Sequence, residues 1–152
     1  MREIKFRHYD TRYNEIRYSD KHNDEFFFED KGVLYMYALP KSETGLETKY
    51  YKSYNVDSFT GLKDKNGVEI YEGDIVKFHT GVKYVDDQKM NVYFNKGSFG
   101  IRNLEHNGIN MFCPFLSFEN AEKSLADKMD YTFLEQVIEV IGNIHENPEL
   151  IN

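Results

Sequence analysis

The amino-acid sequence predicts a mainly β (α+β) chain: antiparallel strands in an N-terminal part, packed on a small C-terminal β-barrel that carries one short helix. Two observations carry this expectation. Phe and Tyr number 12 each among 152 residues, and flat or β-branched side chains fit a pleated, half-buried surface better than a helix. Turn residues also recur at short, regular intervals through the second part, as in hairpins closing a small barrel. At 18.0 kDa the chain suits one domain, or one domain with a small satellite. Its 40% hydrophobic content argues against disorder.

Glu3-Ile-Lys-Phe-Arg7 alternates charge and hydrophobe, predicting a half-buried strand with Ile4 and Phe6 inward. Ile16–Tyr18, Phe26–Phe28 and Val33–Tyr37 read as further short strands of an antiparallel meander, separated by turn-rich segments. Leu39–Thr48 combines Pro, Gly, Ser and Thr as a loop does. A boundary is placed near Asp57, giving parts 1–58 and 59–152. The first part, at this length, is expected to be marginal alone and to need the barrel or another copy.

Within TGLKDKNGVEIYEGDIV, Thr60 to Val76, the residues Gly61, Asn66 and Gly67 read as a hairpin with Asn66-Gly67 at its tip. Tight turns favour such pairs because they need positive φ. Glu72-Gly73-Asp74 is a second turn launching Ile75–His79. Val82–Val85, Met90–Phe94, Phe99–Leu104 and Ile109–Phe112 continue the strands. Asn120 can cap a helix over 121–129, with Leu125 and Met129 four apart. Gln136–Ile144 is the last strand; Ile138, Val140, Gly142 and Ile144 fall on one apolar face, so it is expected at the centre of its sheet. Pro148 ends it, and Leu150 and Ile151 can pack back.

Charge bears on partners. The net charge is -7, which opposes attraction to phosphate backbones and makes duplex DNA a poor partner. Residues 61–152 hold 9 basic and 15 acidic groups, so the second part carries most of the imbalance. Cys113 is the single cysteine; it permits no internal disulfide and suits a reducing cytoplasm. No apolar run approaches a membrane span, and the first residues lack the apolar region of a signal peptide. The expected location is the cytoplasm, with no membrane partner.

Motifs for chemistry are few. Asp64-Lys-Asn66-Gly67 suggests part of a calcium loop, but aligning Gly67 with that loop's glycine puts Leu62 and Gly73 where its first and last carboxylates belong. The five histidines, His8, His22, His79, His106 and His145, occur singly, and Asp20-Lys-His22 is the nearest approach to a metal pair. There is no Gly-x-Ser-x-Gly elbow and no glycine-rich phosphate loop. No catalytic residue, metal or cofactor is expected. The aromatic clusters Phe26–Phe28 and Tyr50-Tyr51-Lys-Ser-Tyr54 suit a core, a protein interface or a base-stacking surface. Arg2, Lys5, Arg7, Arg12 and Arg17 lie near them in sequence. Arg7, Tyr50, Tyr51 and Tyr54 are therefore a speculative binding surface.

Three segments together resemble a known family. MREIKFR at 1–7, TGLKDKNGVEIYEGDIV at 60–76 and EVIGNIHENPEL at 139–150 are similar to the start, middle and end signatures of the YopX-like proteins of phages and prophages in Gram-positive bacteria. Gly61, Asn66, Gly67, Gly73, Asp74, Gly142 and Pro148 are the structural residues within the last two. His8-Tyr9 stands where an aromatic, often Trp, usually precedes the Asp; 41–48 and 127–133 match poorly and receive no transferred assignment. The resemblance implies a small, soluble, phage-encoded accessory protein in the host cytoplasm, an SH3-like second half, and self-association among related chains. It brings no activity with it.

The expected function is a non-enzymatic interaction or self-assembly module that binds a host or phage protein, or itself. Two rivals come from other classes: a single-stranded nucleic-acid binder using the N-terminal aromatics and arginines, and an unrecognised hydrolase, which would need a pocket of convergent polar groups.

Overall fold

The computed structural model describes residues 3–11, 13–21, 25–30, 33–38, 49–51, 56–81, 83–103, 112–115 and 136–151. The chain divides into two compact units, Met1–Ser58 and Phe59–Asn152. The expected helix over 121–129, the loop at 39–48 and the start of the strand at 109–112 lie outside the described residues.

In the first unit, β1 (Phe6–Asp10) and β2 (Glu15–Tyr18) form an antiparallel hairpin with His8 opposite Arg17 and Asp10 opposite Glu15. β3 (Glu25–Asp30), β4 (Val33–Ala38) and β5 (Lys49–Tyr51) form a separate antiparallel sheet in that order. β6 (Val56–Lys63) runs across the division, and its first residues pair with β1, Asp57 opposite Arg7. The first strand thus begins three residues later than the alternation suggests. Pairing with β6 starts at Phe6 and with β2 at Arg7, and the Phe6 N–H donates to Ser19 Oγ at 3.0 Å. Ahead of it, Lys5 pairs with Glu3 and Asp20, and Ile4 is 77% exposed.

Among the described residues, the strands of the second unit pair antiparallel. The later residues of β6 pair with β7 (Glu69–Tyr71), and the register slips between Phe59 and Lys63, where Gly61 takes φ 93°. β8 (Asp74–Phe78), α1 (Lys83–Asp86), β9 (Met90–Asn95), β10 (Ser98–Asn103), β11 (Phe112–Pro114) and β12 (Ile138–Asn143) follow, with a 3-10 turn at Pro148–Leu150. Five of these strands make one sheet in the order β11-β10-β9-β8-β12. The chain is mainly β, with a curled half-barrel, as its sequence predicts. Ile70, Val76, Phe78, Val92, Ile101, Phe115, Val137 and Ile138 form the core, and Leu62, Met90, Phe99 and Val140 pack against it.

Several local expectations are overturned. The predicted strand at Val82–Val85 gives way to the helical turn Lys83–Asp86. Asp86 causes this: its carboxylate accepts the N–H groups of Thr80 (2.8 Å) and Gly81 (2.9 Å) and the Thr80 hydroxyl (2.8 Å), folding the segment back on itself. Among the described strands, β12 is outermost rather than central; β8, where Ile75 and Val76 are both fully buried, lies inside the sheet. The single apolar face of β12 also breaks. A bulge at Ile141 puts Gly142 opposite Ile75, whereas Ile138 and Val140 lie opposite Phe78 and Val76. Among the described residues, no helix is long and apolar enough to cross a membrane.

Candidate functional site

The hairpin between β6 and β7 is organised by Asp64, a buried carboxylate in an otherwise exposed turn. Its Oδ1 accepts the N–H of Asn66 (2.8 Å) and of Val68 (2.9 Å), and its backbone N–H donates to the Val68 carbonyl (2.8 Å). Gly67 N–H donates to the Asp64 carbonyl at 2.9 Å, and Gly67 takes φ 81°, while Asn66 keeps negative φ. The tip is therefore a type I turn closed by a left-handed glycine, not a turn with positive φ at both Asn66 and Gly67.

The same aspartate reaches β12. Asp64 Oδ2 accepts the Val140 N–H at 3.0 Å, and Lys65 N–H donates to the Ile138 carbonyl at 3.0 Å, so the hairpin tip covers the outer edge of that strand. Around this clasp, Lys65 Nζ lies 3.2 Å from Glu139 Oε2, His79 Nε2 contacts the same oxygen, and Asn66 Nδ2 donates to Oε1 at 3.5 Å. The hydrogen bond from Lys65, reinforced by the one from His79, holds the Glu139 carboxyl below its ordinary value. A second contact closes the far end: Ile144 N–H donates to the Gly73 carbonyl (2.9 Å), and Asn143 pairs with Asp74 across the β8–β12 ladder.

The β9–β10 ribbon presents a different surface. Lys96 (φ 49°) and Gly97 (φ 87°) form its two-residue turn, which sets Phe94 opposite Phe99 with ring centroids 5.0 Å apart, edge to face. Phe94 is 48% exposed. On the other face of the ribbon, Tyr93 lies opposite Gly100, and the Arg102 guanidinium sits 5.1 Å from the Tyr93 ring centroid. This ribbon displays aromatics and an arginine on a short, well-paired hairpin.

In the first unit, charge goes inward. Arg7 is 4% exposed and its Nε donates to Asp57 Oδ2 at 3.0 Å; His8, Asp10 and Arg17 are buried as well. Arg17 also bonds Glu15 at 2.7 Å. Among the described residues, no group of three or more His, Cys, Asp or Glu side chains is placed to hold a metal ion.

The family profile described as YopX protein matches residues 5–152. The chain belongs to the YopX family. Among solved structures, the crystal structure of protein EF1440 from Enterococcus faecalis is similar at 25% identity, over 100% of each chain, with a TM-score of 0.47. No curated protein matches the chain.

In this YopX-family chain, the middle and end segments that carry the resemblance lie side by side. Gly61, Asn66, Gly67, Gly73 and Asp74 shape the hairpin and the turn into β8. Asp74 Oδ2 accepts the Tyr71 N–H at 2.7 Å, and Gly73, at φ 81°, donates its N–H to the Val92 carbonyl at 2.8 Å. Gly142 packs under the C-terminal turn. A β-carbon there would come within 2.6 Å of Asn147 Oδ1 and 2.9 Å of Leu150 Cδ1. Pro148 opens that turn.

The speculative binding surface does not hold at Arg7, because the ion pair with Asp57 buries the guanidinium. Tyr50 and Tyr51 lie on β5, where only the backbone is described, and Tyr54 lies outside the described residues. Sequence reasoning missed Asp64 and the Phe94–Phe99 pair. The second had a signal: Phe94 and Phe99 flank Asn95-Lys-Gly-Ser98 symmetrically, the spacing of partners across a two-residue hairpin.

Proposed function

We propose that this YopX-family chain is a phage-encoded accessory protein that acts as a non-enzymatic interaction module in the host cytoplasm, binding a host or phage protein or a second copy of itself. The observation that carries this reading is the β9–β10 ribbon, with Phe94 half exposed against Phe99 and Arg102 stacked on Tyr93. Aromatic rings dominate protein interfaces because they bury large areas with few rotatable bonds, and arginine joins them because its planar guanidinium stacks on rings and carries several donors. The net charge of -7 favours a basic protein surface as the counterpart.

The single-stranded nucleic-acid reading draws less support. Of its five cations, Arg7 and Arg17 are buried and bonded to carboxylates, and Lys5 lies 3.3 Å from Glu3 and 3.5 Å from Asp20. The test is recovery of the tagged chain from infected cells, with and without nuclease, beside the Phe94→Ala variant. The expected result is a nuclease-resistant protein partner whose affinity falls about 30-fold on loss of Phe94, the scale of an interface hot spot. A partner lost on nuclease treatment, or indifferent to Phe94→Ala, overturns the assignment.

A further inference from the structure

Asn66 is exposed at a hairpin tip and is followed by Gly67, the residue whose backbone nitrogen meets least steric hindrance when it attacks the preceding side chain. In that reaction, Gly67 N loses its proton to base and bonds to Asn66 Cγ. The Cγ–Nδ2 bond breaks, ammonia carries a proton away, and a five-membered succinimide remains. Water then opens the ring at either carbonyl to give aspartate or isoaspartate. No oxidant or cofactor enters the balance.

The structure restrains this chemistry at its first step. Gly67 N–H is engaged with the Asp64 carbonyl at 2.9 Å, Asn66 N–H is engaged with Asp64 Oδ1 at 2.8 Å, and Asn66 Nδ2 reaches Glu139 Oε1 at 3.5 Å. The nucleophile, the backbone angle before it and the amide it must attack are thus all held by the clasp. We propose that Asn66 is a site of spontaneous deamidation whose rate is set by opening of the Asp64-bonded turn. The isoaspartate product does not restore that turn, whereas the aspartate product keeps its backbone donors and loses the side-chain contact to Glu139. Aspartate at 66 sets a carboxylate against Glu139 where an amide donor stood, and isoaspartate adds a main-chain carbon inside a loop closed by Asp64 N–H and the Val68 carbonyl. Isoaspartate formation therefore converts a reversible opening of the clasp into a permanent one.

The full-length chain, incubated at mildly alkaline pH in water enriched in heavy oxygen, is digested and read by mass spectrometry for labelled aspartate and isoaspartate at position 66. Three samples are compared: native wild type, wild type in denaturing urea, and native Asp64→Asn. Native wild type should label at least about tenfold more slowly than the unfolded chain, because reaction requires the open turn. Asp64→Asn, which keeps an acceptor for the tip but loses the Val140 anchor that holds the tip on β12, should label faster than native wild type. Equal rates in native and unfolded wild type, or no acceleration in Asp64→Asn, overturn the proposal. Should Asp64→Asn fail to fold by circular dichroism, wild type in urea below its unfolding midpoint replaces it. Labelling at Asn66 should then rise in step with Gly67 amide exchange, and independent rates would refute the coupling.

Discussion

Asp64→Ala tests the reading of the hairpin as a clasp. The substitution strips the acceptor from three backbone N–H groups. The Asn66 and Val68 donors sit at an exposed tip, where water replaces the carboxylate, and each is worth a few tenths to about 1 kcal/mol. The Val140 donor lies in a half-buried strand and loses a charged acceptor, a contribution of about 1.5–3 kcal/mol. The total comes to about 3 kcal/mol. Asp64→Asn separates the two parts: its carbonyl oxygen can still serve the tip, but its amide group then meets the Val140 N–H donor to donor, at a cost of about 2 kcal/mol. Urea unfolding of the full chain measures both. With a slope of about 2 kcal/mol/M, the alanine variant should lose roughly 1.5 M in midpoint and the asparagine variant about 1 M. An alanine variant within about 0.3 M of wild type would refute the clasp, and an asparagine variant equal to wild type would refute the role of Val140.

Three further outcomes follow from the geometry. Lys96 holds φ 49° in the β9–β10 turn, a region that costs an ordinary residue about 1–2 kcal/mol, so Lys96→Asn should stabilise by about 0.5–1 kcal/mol and raise Tm by about 2–3 °C; an unchanged or lower Tm contradicts the turn assignment. Arg7→Met removes the buried ion pair with Asp57 and should cost about 3–5 kcal/mol, most of it regained in Arg7→Met/Asp57→Leu; chemical denaturation of both variants decides. The Glu139 carboxyl is held below its ordinary value of 4.5, so its contribution is fully present above that pH and is lost as pH falls through the lower folded value. Glu139→Gln should therefore flatten the acid side of the Tm–pH curve relative to wild type while leaving its shape near neutrality alone; parallel acid limbs would show that the Lys65 and His79 contacts contribute nothing.

The strands were legible because side-chain alternation and turn residues are local signals. β2, β3, β4, β8, β9 and β10 each fall within a residue or two of the expected segments. What escaped was non-local. Asp64 and Val140 are 76 residues apart, and Arg7 and Asp57 are 50 apart; before pairing is known, a charge in a turn or on an alternating strand reads as solvent-facing. The strand expected at Val82–Val85 failed for the opposite reason. A local device, the Asp86 carboxylate gathering Thr80 and Gly81, outweighed the β preference of two valines and a tyrosine. The tip at Asn66-Gly67 shows a third kind of error: the pair marked the turn correctly, but only Gly67 needed the left-handed conformation.

An outermost strand offers unpaired N–H and C=O groups to any other chain, and proteins cover or blunt such edges. Among the described strands, β12 is outermost in its sheet, yet its Val140 N–H is taken by the Asp64 side chain and its Ile138 carbonyl by Lys65 N–H. Asp64 and Gly67 shape the hairpin so that its tip covers the β12 edge at Ile138 and Val140. Two of the three segments that carry the resemblance to YopX-like proteins, 60–76 and 139–150, are the two halves of this seal. Residues of the seal should be tested for stability, and the proposed binding should be tested on the ribbon carrying Tyr93, Phe94 and Arg102.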